Sequence, residues 1–216
     1  MKNESNDYLD NHYIHKSNWL RAAVLGANDG ILSISSLAIG VAAASDFREP
    51  IVLACVAGLV GGALSMAAGE YVSVSSQTDV ENADIERERI ELEEMPDLEL
   101  KRLTEIYEER GLSKETALKV AIELTEHDAL GAHVRDELGI NEISQAKPLQ
   151  AALASGAAFT LGGALPLLTV LFLPVIGLEY YLYGFAILFL ALLGMIAAKT
   201  GGSSITRAIV RITFWG

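Results

Sequence analysis

The chain has 216 residues, of which 51% are hydrophobic, and it carries a formal net charge of -12. Such acidity argues against a nucleic-acid partner, whose phosphates would be repelled, and favours cations. The single cysteine, Cys55, excludes an intramolecular disulfide.

The charge is concentrated in one place. Residues 79–142 hold 20 Asp and Glu against 8 Lys and Arg, so this block's excess equals the net charge of the whole chain. Around it lie four stretches almost free of charge. Between Arg21 and Asp46 only Asp29 is charged; Glu49 to Glu70, Lys147 to Glu179 and Glu179 to Lys199 enclose none. A bilayer core of about 30 Å needs roughly 20 apolar residues in a helix, and each stretch is long enough. The expected fold is therefore an all-α membrane protein with four complete transmembrane helices and an acidic, water-facing helical domain inserted between spans 2 and 3.

In chain order, residues 1–20 form a polar N-terminal segment that is unlike a cleavable signal peptide. Residues 21–78 hold spans 1 and 2, at about 22–45 and 51–78, with Pro50 fitting a helix start. Residues 79–146 form the acidic domain. Residues 147–216 hold spans 3 and 4, at about 149–173 and 180–200, with Pro174 and Gly177 fitting the turn between them, and then the start of span 5. Basic residues gather at one set of span ends: Lys16, Arg21, Lys147, Lys199, Arg207 and Arg211. The other set has only Arg48, so the N-terminus and the acidic domain are expected in the cytoplasm. The segment Ile205 to Trp215 is too short to cross a bilayer. It reads either as an interfacial helix, with Arg207 and Arg211 among headgroups, or as a fifth span cut short.

Two carboxylates fall inside apolar runs, Asp29 in span 1 and Glu70 near the end of span 2's apolar run. An intramembrane carboxylate costs roughly 2.5 to 3.5 kcal/mol on insertion scales and is a functional candidate by default. For Asp29 the alternative is that Asn28-Asp29-Gly30 forms a turn or helix break. Met66 lies one turn before Glu70, and a mixed sulfur and oxygen site suits Fe(II) or Mn(II) better than Mg or Ca. From Met66 through Glu70, Ser73, Gln77, Glu81, Asp84, Glu88 and Glu91 the spacing of three and four draws one face of a continuous, increasingly acidic helix. A solvated charged face accounts equally well for the part beyond residue 79.

Within the acidic block, helices are expected over about 97–110 and 114–126 and from Asp128 to Leu138, with Ser113 and Asp128 as N-caps. Glu105 with Glu108 or Glu109, and His133 with Glu137, are one turn apart and suited to pairing as ligands; plain surface helices are the competing reading. No HExxH, CxxC pair, Gly-rich phosphate loop, nucleophile elbow or di-iron Glu-x-x-His is present, so no enzyme activity is expected. Gly61-Gly62-Ala63-Leu64 recurs as Gly162-Gly163-Ala164-Leu165, which small-residue helix packing explains as readily as an internal repeat.

The runs GANDGILS (26–33), SMAAGEYVSVSSQTDVENADIERER (65–89) and HDALGAHVRDELGI (127–140) resemble the vacuolar iron transporter family, in its bacterial branch. The resemblance covers nearly everything from about residue 15 onward. It implies a five-span fold that dimerises, a second helix extended into the cytoplasm, and a three-helix cytoplasmic metal-binding domain. It also implies proton-coupled export of Fe(II), and often Mn(II), from the cytosol, with no tightly bound cofactor. On this resemblance the intramembrane site falls on Asp29, Met66 and Glu70. The cytoplasmic ligands fall on Glu88, Glu91, Glu105, Glu108 and Glu137. His133 stands near a position where some members carry Met, and the fifth span is essentially missing. The mechanism expected is capture of metal by the acidic domain, passage along helix 2, binding in the membrane and release by protons. A membrane-anchored protein that buffers or senses metal without moving it is the alternative.

Overall fold

The computed structural model describes residues 17–140 and 147–215. Most of the expected N-terminal segment (residues 1–16), the end of the expected acidic domain (141–146) and Gly216 lie outside the described residues. Every element among the described residues is helical: α1 (Ser17–Ala42), α2 (Arg48–Glu94), α3 (Pro96–Glu109), α4 (Lys114–Asp136), α5 (Pro148–Phe172), α6 (Leu178–Thr200) and α7 (Ile205–Trp215). Four of them, α1, α2, α5 and α6, are long and apolar enough to cross a membrane. The chain divides into two compact units, residues 1–73 with 148–216, and residues 74–147.

In the first unit, α1 and α5 pack backbone to backbone. A Cβ at Gly26 would stand 2.3 Å from the Ser155 carbonyl oxygen, and one at Gly30 would stand 2.2 Å from that of Phe159. On the facing helix, a Cβ at Gly162 would meet the Ala27 carbonyl oxygen at 2.3 Å. Gly26 and Gly30 form a G-x-x-x-G, the spacing that lets membrane helices approach until dispersion and Cα–H···O contacts hold them. This is a correction to the turn alternative at residues 28–30. α1 runs unbroken through Asn28-Asp29-Gly30, because Gly30 is used for approach to α5 and not for left-handed backbone.

Further along, Ile34 and Ala38 of α1, Ile51 and Cys55 of α2, Phe159 and Val170 of α5, and Leu178 and Leu182 of α6 form one buried cluster. Arg48, at the start of α2, reaches the C-terminal end of α5. It donates to the Leu173 carbonyl at 2.7 Å and also to that of Leu171, satisfying acceptors that a helix end leaves open. The α5–α6 turn contains Gly177 at φ +76, a left-handed position that favours glycine. α7 returns onto α6 at Gly194, whose missing side chain admits the Ile209 Cα and the Ala208 carbonyl.

The second unit is built from the distal part of α2 together with α3 and α4. Pro96 opens α3, and Gly111 at φ +99 ends it, with the Leu112 N–H returning to the Tyr107 carbonyl at 3.2 Å. Ser113 caps α4 by accepting from the Thr116 N–H. Inside α4, Asp128 leaves helical geometry and its carboxylate accepts from the Gly131 N–H at 3.0 Å, so a new helical turn is capped at the kink. Leu103, Ala121 and Ala132 form the small core, flanked by Leu100, Tyr107 and Leu124.

Asp136 ties α3 to α4. It accepts from the Tyr107 hydroxyl at 2.8 Å and from Arg110 at 2.6 Å, and it pairs with Arg135 at 3.1 Å. Burial pushes its carboxyl upward, but the hydrogen bonds from Arg110, Tyr107 and Arg135 outweigh burial and hold it below the ordinary value of 3.8.

Two outcomes follow from this packing. Gly30→Ala is expected to destabilise the full chain in detergent by about 1–3 kcal/mol, as overpacking does, while Gly40→Ala, which meets no atom within 4 Å, leaves thermal unfolding unchanged or slightly raised. Asp136→Asn is expected to cost roughly 2 kcal/mol, read as faster amide exchange across α3 and α4. Because the native carboxyl is depressed, the wild-type protection it supplies is complete above pH 3.8. It is lost as pH falls through the lower native value.

Candidate metal centres

In the first unit, Asp29 and Ser33 of α1, Met66 and Glu70 of α2, and Phe159 of α5 line one cavity of about 380 Å³. Helical spacing explains the α1 and α2 contributions, since Asp29 and Ser33 are four apart, as are Met66 and Glu70. The Ser33 hydroxyl donates to Asp29 Oδ1 at 2.6 Å and fixes that carboxylate's orientation. Gly58, Gly62 and Gly69 keep the α2 wall open. At Gly62 a Cβ would strike the Phe159 ring at 2.3 Å. The cavity thus offers two carboxylates and a thioether within an apolar helix bundle, a donor set for a divalent transition metal.

In the second unit, four side chains converge. Glu88 of α2, Glu99 of α3, and His133 and Glu137 at the end of α4 each present a ligand atom, and these atoms all lie within 4.8 Å of one another. His133 Nδ1 is 2.8 Å from Glu88 Oε1, 3.1 Å from Glu137 Oε2 and 3.7 Å from Glu99 Oε2. His133 is fully buried, and Glu88 and Glu99 are 3% and 4% exposed. One imidazole nitrogen can carry one proton, and the hydrogen bond that His133 Nδ1 makes in good geometry is with Glu137 Oε2. Glu88 Oε1, though close to the same nitrogen, Glu99 Oε2 and His133 Nε2 are left buried without a hydrogen bond. Burial raises the Glu88 carboxyl above its ordinary value; Glu137 and Glu99 add to the rise and His133 opposes it. Buried carboxylates crowded in this way, short of donors, are what a cation relieves. Arg102 also reaches the cluster by donating to Glu137.

Of the residues expected from sequence, the structure therefore groups Asp29, Met66 and Glu70 on one cavity wall and Glu88, His133 and Glu137 in one cluster. Glu91 and Glu105 stand outside the cluster. Glu91 pairs with Arg87 at 2.9 Å, and Glu105 lies 3.4 Å from Lys101. Glu108, half-buried on α3, is not among the four converging groups either. Glu99 was missed. It lies four residues before Leu103 and eight before Tyr107, an acid on the apolar stripe of α3, and that misplacement is the signal that could have found it.

Residues 20–216 match the VIT family. The vacuolar iron transporter of Acanthamoeba castellanii is 44% identical over 202 residues, covering 92% of this chain and 73% of that protein. Vacuolar iron transporter homolog 1 of Oryza sativa subsp. japonica is 35% identical, covering 95% and 71%, and vacuolar iron transporter homolog 2.1 of Arabidopsis thaliana is 31% identical, covering 94% and 78%. With the family pattern extending over almost its whole length and relatives of this identity and coverage, the chain belongs to the VIT family.

Proposed function

We propose that this integral membrane protein moves Fe(II), with Mn(II) as a second cargo, out of the cytosol in exchange for protons. The observation that carries the reading is the cavity within the membrane unit on which Asp29, Met66 and Glu70 meet. Relatives named as iron transporters supply the metal. Glu88, Glu99, His133 and Glu137 capture the ion on the cytoplasmic side. Their three carboxylates and one imidazole suit a borderline divalent cation. In the membrane, protons entering from the far side exchange for the metal at Asp29 and Glu70, which is the step that couples the two fluxes. The N-terminus and the second unit face the cytoplasm, following the basic span ends. The cell membrane of a prokaryote is the location. The protein works as a homodimer, a second copy packing on small residues of α2 such as Gly61, with lipid around the remaining apolar surface.

The test is Fe(II) entry into proteoliposomes with internal pH followed at the same time. The wild-type chain is expected to couple metal flux to proton flux. Asp29→Asn is expected to lower both by at least about tenfold, the scale of one removed acid–base group, while leaving metal binding by the second unit intact. Undiminished coupled flux in that variant would remove Asp29 from the mechanism. Binding without flux in the wild type would return the chain to a metal-buffering role.

The capture site has its own test. Glu99→Gln is expected to weaken Mn(II) binding to the full chain by about tenfold to a hundredfold, whereas Glu105→Gln leaves it unchanged, read by calorimetry in detergent. Equal effects from the two variants would reduce the cluster to general acidity.

A further inference from the structure

A second cavity of the membrane unit, about 290 Å³, opens where the start of α1, the end of α6 and the helix α7 come together. It is remote in character from the metal cavity, since the charged groups on its wall are Arg21 and Arg211, with Ser203 as a further polar group. Its remaining wall is apolar, including Leu20, Val24 and Ile212. Among the described residues, neither arginine has an acidic side chain within 4.0 Å, although the chain as a whole carries 28 Asp and Glu. Among the described residues, two guanidinium groups without an acidic neighbour thus share one small cavity, an arrangement suited to an anion.

We propose that this pocket binds the phosphate-bearing headgroup of an anionic phospholipid, with Arg21 and Arg211 holding the phosphate. Arginine's planar fork matches phosphate oxygens in pairs, and the Ser203 hydroxyl offers a further donor. The apolar wall distinguishes a lipid from a free phosphate ion, because Leu20, Val24 and Ile212 give an acyl chain a surface to follow and give an inorganic ion nothing. The location agrees. Arg21 stands near the start of one spanning helix, the cavity reaches Ala197 and Ala198 near the end of another, and basic pockets between helices at such ends suit anionic headgroups. Trp19 is 39% exposed at the same end of α1, and Phe214 and Trp215 are largely exposed just beyond Arg211, as aromatic side chains are at the headgroup level. α7 is strongly amphipathic and places Arg207 and Arg211 one turn apart. The lipid would join α7 to α1 and α6, so its binding is expected to stabilise the membrane unit.

The experiment uses the purified full chain in an uncharged detergent, with thermal unfolding followed against added dioctanoyl phosphatidylglycerol. The midpoint is expected to rise saturably. Arg21→Gln/Arg211→Gln is expected to raise the half-saturating lipid concentration about thirtyfold, the effect of losing two phosphate-facing charges. Lys199→Gln/Arg207→Gln removes the same amount of charge beside the pocket and is expected to leave half-saturation within about twofold of wild type. If the first pair of substitutions prevents folding, each single substitution is expected to shift half-saturation by about fivefold. An equal shift from both pairs would mean diffuse surface attraction and would overturn the site. The same rise with inorganic phosphate would assign the pocket to a soluble anion, and the same rise with dioctanoyl phosphatidylcholine would assign the effect to apolar chains alone; either overturns the proposal, as does no rise at all.

Discussion

The close approach of α1 to α5 is the contact on which the membrane unit depends. Lipid is as apolar as a leucine side chain, so burying apolar area gives two membrane helices little reason to associate, and fit at the backbone must do so instead. Gly26, Gly30 and Gly162 provide that fit, each lacking the side-chain atom that would collide with a carbonyl across the interface. The residue between the two glycines of α1 that carries charge is Asp29. With the glycine face committed to α5, Asp29 lines the cavity that it shares with Met66 and Glu70 of α2. One five-residue segment therefore sets both the packing and the placement of an intramembrane carboxylate.

The second unit meets the opposite problem. Its core is small, Leu103 with two alanines and a few flanking side chains, yet it buries Glu88, Glu99 and His133 beside it. Buried acids without donors oppose folding, and the unit offsets this with the Asp136 network and with the Arg102 contact to Glu137. A cation placed among the four groups would remove the remaining imbalance. Affinity for metal and stability of this unit are, on that account, two readings of the same electrostatic deficit.

Much of the architecture was legible because hydropathy and charge are written along the chain at the scale of whole helices. The apolar runs in α1, α5 and α6 have few other solutions, and the continuity of α2 from Met66 to Glu91 followed from its unbroken spacing of three and four. Ser113 announced the start of α4 by local chemistry that survives in isolation. What stayed hidden depended on facing partners. Asn28-Asp29-Gly30 has the composition of a turn, and only α5 shows that Gly30 is there for contact. Glu91 and Glu105 were expected as ligands from the family resemblance, and in the structure each is paired with an adjacent cation on its own helix. Glu99 lay among the many acids of residues 79–142 and was overlooked, although an acid on an apolar stripe is the less common arrangement.

The central claim is that a divalent metal is held within the membrane unit by a thioether together with carboxylates. The most direct measurement is X-ray absorption at the iron edge on anaerobic Fe(II)-loaded full chain carrying Glu99→Gln/His133→Ala, which leaves the membrane cavity as the remaining site. A sulfur scatterer alongside oxygen, lost on adding Met66→Leu, is the predicted result. Bound iron surrounded by oxygen and nitrogen alone, unchanged by Met66→Leu, would contradict the account.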